Sequence, residues 1–211
     1  MTGPTQSRGE EIANSVSHGV GLLAALVAAP VLVLSAVRHG GAARIAGASV
    51  FAGATVLLYL TSTLYHALPA NRAKQVFRLL DHASIYVMIA GTYTPITLSV
   101  LGGTWGWTLF GIVWGLALGG VVLTTVGGVR YPKLRISLYL AMGWLILVAV
   151  KPLRLRMPSE GLLWVSAGGI AYTVGVVFYA VKRVRYCHFV WHLFVVAGTA
   201  CHFIAVLRFA A

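Results

Sequence analysis

Acidic residues are almost missing from this chain: four of 211 residues are Asp or Glu. Charged residues of either sign reach only 9%, against about 25% in a soluble domain. With 59% hydrophobic residues and a mean hydropathy of +0.86, the composition has too little polar surface for a water-soluble protein. Cysteine is also scarce. The two thiols, Cys187 and Cys201, stand 14 residues apart on one predicted helix, about 21 Å along its axis, so they cannot pair with each other. A long basic tail, an RNA-binding motif and zinc-finger spacing are all lacking. The net charge of +12 therefore does not point to nucleic acid. The Lys and Arg residues sit in short stretches between apolar runs, where they set membrane orientation and attract anionic lipid head groups. No internal repeat or low-complexity segment is evident, and nothing after the first apolar run reads as a signal-peptide cleavage site.

What is abundant is long apolar sequence. A helix needs about 20 apolar residues to cross the hydrocarbon core. Seven runs stand out, the fifth of them short of that length: His18–Val37, Ile45–His66, Leu79–Val100, Trp105–Val126, Ile136–Val150, Leu162–Val181 and Phe189–Leu207. The fifth is the shortest, bracketed by Arg135 and Lys151. The predicted architecture is an all-α, seven-helix transmembrane bundle over residues 18–211, preceded by a polar segment, 1–17, on the cytoplasmic side. Gly102–Gly103, Gly119–Gly120 and Gly168–Gly169 are read as places where helix backbones approach closely. Pro95 is expected to kink the third helix.

Counting basic residues fixes the orientation. With the N-terminus inside, ten Lys and Arg fall on inner segments and six on outer ones, which favours a cytoplasmic N-terminus and an outer C-terminus. On this path His66 ends the second crossing at the inner face. Asp81 and His82 begin the third at the same face, His188 begins the seventh with His192 one turn deeper, and His18 begins the first. His202 and His39 belong near the opposite face. Ionisable groups inside a bundle are costly unless partnered, so the inner set is a functional candidate.

His188 and His192 present two imidazoles one turn apart on one helix face, the spacing of paired histidines in zinc enzymes. Read alone, the pair is equally an interfacial feature. His66 offers a third nitrogen from another helix, and three His ligands leave zinc a position for water. Asp81 is either a helix N-cap or ion-pair partner of Arg78 or Lys74, or a carboxylate that holds a water and relays its proton. Ser62, one turn deeper than His66, either bonds its own helix carbonyl or meets a substrate carbonyl. Glu11, Asn14 and His18 share one helical face, read as a polar cap on the first crossing. Tyr65, Tyr86, Tyr93, Trp105, Trp107 and Trp191 are aromatic-belt candidates. Cys187 is a soft-ligand alternative beside His188.

Glu11-x-x-Asn14 followed by Ser17-His18-Gly19, Ser62-Thr63-Leu64-Tyr65-His66, Asp81-His82-Ala83-Ser84-Ile85, Ala90-Gly91-Thr92-Tyr93-Thr94-Pro95 and His188-x-x-x-His192 occur in that order. This ordered set, spread from about Glu10 to His202, resembles the hemolysin III family, the bacterial branch of the progestin and adiponectin receptor superfamily. The resemblance implies a multi-pass protein of the bacterial inner membrane with zinc near the cytoplasmic face. It assigns His66, His188 and His192 as metal ligands, Asp81 as the water-holding carboxylate and Ser62 as the neighbouring hydroxyl. The superfamily is similar to alkaline ceramidases, which implies hydrolysis of a lipid amide or ester, with a membrane lipid as substrate or ligand. Competing expectations are a non-enzymatic sensor in which zinc ties helices together, and a cytolytic channel. The channel ranks last, because it needs a polar path that the outer halves of the spans do not offer.

Overall fold

A computed structural model describes residues 6–181 and 183–211. Residues 1–5 of the polar N-terminal segment, and Lys182 from the inner charge count, lie outside the described residues. Seven helical spans are long and apolar enough to cross a membrane. They are α1 (Arg8–His39), α2 (Ala42–Ala67), α3 (Arg72–Pro95) extended by a π-helical stretch (Ile96–Leu101), α4 (Gly103–Gly127), α5 (Pro132–Trp144) joined through a 3-10 turn (Leu145–Ala149) to α6 (Val150–Arg156), α7 (Ser159–Ala180) and α8 (Cys187–Phe209). The all-helical membrane bundle expected from the seven apolar runs is the fold found.

The helices begin earlier than the apolar runs. Hydropathy marks the membrane-spanning part of a helix, whereas capping chemistry marks its start. Ser7 caps α1 in a capping box with Glu10: the Ser7 amide donates to Glu10 Oε2 at 2.8 Å, and Ser7 Oγ accepts the Glu10 amide. The helix therefore starts ten residues before His18. Asn71 caps α3, accepting the Lys74 amide at 2.9 Å. Asp81 thus lies in the third turn of α3 and is not its N-cap.

The fifth crossing departs most from expectation. Lys151, Arg154 and Arg156, read as loop charges, are helical. Arg135, read as a flanking charge, is buried inside α5. Tyr93 holds the break in this span. Its hydroxyl lies 2.8 Å from the Met142 carbonyl and 2.9 Å from that of Gly143, and it accepts the Ile146 amide at 2.8 Å. A side chain from α3 thereby serves backbone groups that the 3-10 turn leaves over. Tyr93 and Tyr86 are core residues, correcting their place in the aromatic belt. Trp105 and Trp107 are exposed, as a belt requires.

Helix α1 packs on α2 and α8, α2 on α3, α3 on α4, and α7 on α8. One apolar core, including Leu32, Phe51, Leu58, Tyr59 and Val206, joins α1, α2 and α8. A second, including Tyr86, Ile96, Leu109, Val113 and Met142, joins α3, α4 and α5. The apolar side chains left outside, such as Leu23, Val27, Val126 and Leu163, form the surface that lipid solvates. Gly102 and Gly103 have φ of 54° and 51° in the turn into α4. Their role is conformational and not the helix packing expected. Gly120 and Gly168 do serve packing, but they admit the side chains of Tyr86 and His202.

Candidate metal centre

The end of α2, the third turn of α3, the start of α8 and the stretch of α1 from Glu11 to His18 meet at one end of the bundle. His66, His188 and His192 each offer a ring nitrogen, and these lie within 4.8 Å of one another. His66 and His192 are buried, and His188 is half-buried. The Nε2 atoms of His188 and His192 are 3.1 Å apart. Two bonds of about 2.05 Å from a tetrahedral ion separate their ligand nitrogens by about 3.3 Å, so this pair fits a shared cation.

The outer ring nitrogens decide which way the lone pairs point. His66 Nδ1 meets Glu11 Oε2 at 2.7 Å. A carboxylate only accepts, so Nδ1 carries the hydrogen and the buried, unpartnered Nε2 is left with its lone pair. Ser17 Oγ donates to the Asn14 carbonyl at 2.8 Å. His192 Nδ1 sits 3.1 Å from both Ser17 Oγ and that carbonyl, which sets Nδ1 as donor and Nε2 as acceptor. A carboxylate behind His66 and a carbonyl behind His192 are the arrangement that orients metal-binding histidines. The donor set therefore suits a divalent ion.

Glu11, Asn14 and His18 are more than a polar cap on α1. Glu11 also pairs with Lys74 at 3.0 Å, and Lys74 donates to the Tyr65 and Leu68 carbonyls at 2.9 and 3.2 Å. One carboxylate thus links a candidate ligand histidine to the α2–α3 turn. The His18 ring stacks on His192, centroids 3.6 Å apart and planes 7° from parallel. Its Nδ1 is 2.7 Å from Ser62 Oγ. Ser62 is fully buried, and its hydroxyl meets His18 and not a carbonyl of its own helix.

Asp81 is buried, with Oδ2 3.5 Å from His82 Nδ1. His82 Nδ1 also donates to the Arg78 carbonyl at 2.8 Å. Lys74 pairs with Glu11, so the ion pair weighed for Asp81 with Lys74 is not formed. Asp81, His82, Ser62, His18, His188 and His192 all line one cavity of about 180 Å³. Its remaining walls are mainly apolar, including Ile85, Ile89, Leu140, Leu147 and Val195. It extends to His202, 14 residues along α8 from His188, about 21 Å deeper. His202, assigned to the opposite face, is buried against Tyr172 at the far end of this same cavity. Tyr139 and Tyr179 also line the cavity, though in the sequence both look like ordinary span aromatics. Both cysteines are free, and Cys187 is outside the ligand group.

A family model described as haemolysin-III related matches residues 6–203. Hemolysin-3 of Bacillus cereus is 42% identical over 207 residues, covering 98% of this chain and 94% of that protein. The Hemolysin-3 homolog of Bacillus subtilis (strain 168) is 43% identical over 198 residues, covering 94% of this chain and 93% of its own length. The human monocyte to macrophage differentiation factor is 27% identical over 158 residues, 72% of this chain and 65% of that protein.

Proposed function

The chain belongs to the haemolysin-III related family, and starting from that membership we propose that it is a zinc-dependent hydrolase of amide or ester bonds in lipids, acting at the cytoplasmic leaflet of the cell membrane. One observation carries this reading: the nitrogens of three histidines converge, and two of those histidines, His188 and His192, line an apolar cavity that a buried carboxylate also lines. His66, His188 and His192 are the ligands. Bound there, zinc supplies Lewis acidity and lowers the pKa of a coordinated water to about 7.

The chain's own residues do the rest. The long apolar walls take an acyl chain and exclude bulk water. Ser62, bonded to His18, offers a polar contact where the substrate carbonyl lies. Asp81 accepts the proton of the attacking water and returns it to the leaving nitrogen or oxygen. Glu11 and the Asn14 carbonyl keep the imidazole lone pairs turned inward.

Metal analysis of the purified protein, run beside hydrolysis of ceramide and ester lipids, tests this. Asp81→Asn is expected to keep the metal and lose turnover by at least about a hundredfold, the scale of one general base. His188→Ala is expected to lose both. A wild-type protein without bound metal, or an Asp81→Asn variant with full turnover, defeats the proposal. A second reading has one observation of its own: the ligands come from α2 and α8, so an ion ties together two helices that both pack on α1. On that reading chelation lowers thermal stability while no lipid is consumed.

A further inference from the structure

One histidine stands far from the metal centre and has no part in the hydrolysis proposed above. His202 lies 14 residues along α8 from His188, about 21 Å by helix rise, and lines the far end of the same cavity. It is 7% exposed, and its Nδ1 is buried without a hydrogen-bond partner. A polar side chain inside a membrane bundle is costly unless something meets it. The packing nonetheless makes room for this one. A Cβ on Gly168 of α7 would stand 2.5 Å from His202 Nε2, and one on Gly198 would stand 2.6 Å from Tyr172 Cε1. Two glycines thus admit the imidazole and the tyrosine ring stacked beside it, with centroids 5.6 Å apart and planes 20° from parallel.

Tyr172, Thr173 and Thr92 also line the cavity, but their hydroxyls bond within the protein. Thr199 Oγ1 gives its hydrogen to the Val195 carbonyl at 2.9 Å, so Tyr172 OH donates to Thr199 Oγ1 at 3.0 Å. Thr173 Oγ1 donates to the Gly169 carbonyl at 2.7 Å and accepts the Trp144 indole N–H at 3.0 Å. Thr92 Oγ1 donates to the Met88 carbonyl at 2.8 Å. His202, by contrast, keeps hydrogen-bonding capacity for a ligand. A neutral imidazole carries one donor and one acceptor nitrogen. A hydroxyl both donates and accepts, so it pairs with either tautomer. A carboxylate would need a cation to offset its burial, and among the described residues no Lys or Arg lines the cavity.

We infer that His202 is a second recognition site, for a hydroxyl carried on the far end of the acyl chain whose carbonyl lies at the metal centre. The ligand class is a long-chain lipid hydroxylated at or near its ω carbon. The separation of His202 from His188 is about the reach of an extended hexadecanoyl chain, and the wall between them, including Ile85, Ile89, Leu147 and Val195, suits methylene groups. Placing the carbonyl at the metal rests on the function proposed above. The hydroxyl site rests on His202 and the space its glycine neighbour leaves for it.

The test uses the full metal-loaded chain in an uncharged maltoside detergent, with binding read by displacement of a fluorescent fatty acid. Probes are hexadecanoic acid and ω-hydroxyhexadecanoic acid, with decanoic acid and ω-hydroxydecanoic acid as a pair too short to span the two sites. The long hydroxy acid is expected to bind at least about fivefold tighter than hexadecanoic acid, the scale of one hydrogen bond, and the short pair to show no such gain. His202→Leu is expected to abolish the preference while keeping or raising the ligand-free melting temperature, because it removes a buried polar group that lacks a partner. His202→Gln, which keeps a donor and an acceptor, should retain part of the preference and covers the case in which the Leu variant does not fold. Equal binding of the two long acids to wild type, the result if only water meets His202, overturns the site, as does an undiminished preference in His202→Leu. An equal gain in the short pair overturns the span from the metal to His202. Metal content and lipid turnover on the same preparations report on the hydrolase separately: a hydroxyl preference without turnover keeps the site and defeats the hydrolase, and turnover without the preference does the reverse.

Discussion

Glu11 shows how much one side chain outside the ligand set can contribute. A carboxylate 2.7 Å from His66 Nδ1 fixes the tautomer, the ring orientation and the basicity of the nitrogen left open to an ion. Gln at this position keeps the size and loses the charge. We expect Glu11→Gln to weaken metal affinity by about 10- to 100-fold, read by competition with a chelator of known affinity. An unchanged affinity would show that burial of the ring is enough to orient it. The pairing was invisible in the sequence because Glu11 and His66 lie 55 residues apart. What could be read was that Glu11, Asn14 and His18 share a helical face, which is the face that turned out to back the histidines.

At the scale of the element, the fifth crossing carries the clearest lesson. Its α5–3-10–α6 construction leaves backbone groups without helical partners, and the Tyr93 hydroxyl satisfies Met142, Gly143 and Ile146 together. Removing that hydroxyl strands a buried amide. Tyr93→Phe is therefore expected to destabilise the protein by about 1–3 kcal/mol, measured as a loss of thermal stability in detergent with metal content retained. Equal stability would mean that the turn re-forms as regular helix without its tyrosine. The run Ile136–Val150 was legible as a crossing, but its interruption was not, since hydropathy averages over the segment and a 3-10 turn is set by what packs against it. The same averaging hid Arg135, a cation that stands in the first turn of α5 and reads as a flank.

For the molecule as a whole, an odd number of crossings puts the two termini on opposite sides, and the basic residues choose which. Ten against six predicts the metal centre and the α4–α5 turn on the cytoplasmic side. In a Cys187→Ser, Cys201→Ser background, Arg130→Cys is expected to react with a membrane-impermeant maleimide in inside-out vesicles and to stay protected in intact cells. The reverse pattern would move the centre to the outer leaflet without scattering its residues, because seven spans keep His66, Asp81 and His188 at one level in either orientation. That co-planarity is what makes a metal centre buildable from residues 122 positions apart in the chain, from His66 to His188.

Apolar length and the placement of basic residues determined the number of crossings, their predicted sense and the common depth of His66, Asp81, His82, His188 and His192, since hydrocarbon thickness is a ruler that sequence is written against. The i, i+4 spacing of His188 and His192 was likewise complete in one helix. Only the packed bundle decided that Glu11 and the Asn14 carbonyl back the histidines, that Ser62 meets His18, that His202 closes the far end of the same cavity and that Arg135 is buried. Those outcomes depend on the rotation of each helix about its axis and on which neighbours it meets. Rotation is fixed by side chains interlocking between helices, a property of pairs of segments that no single segment contains.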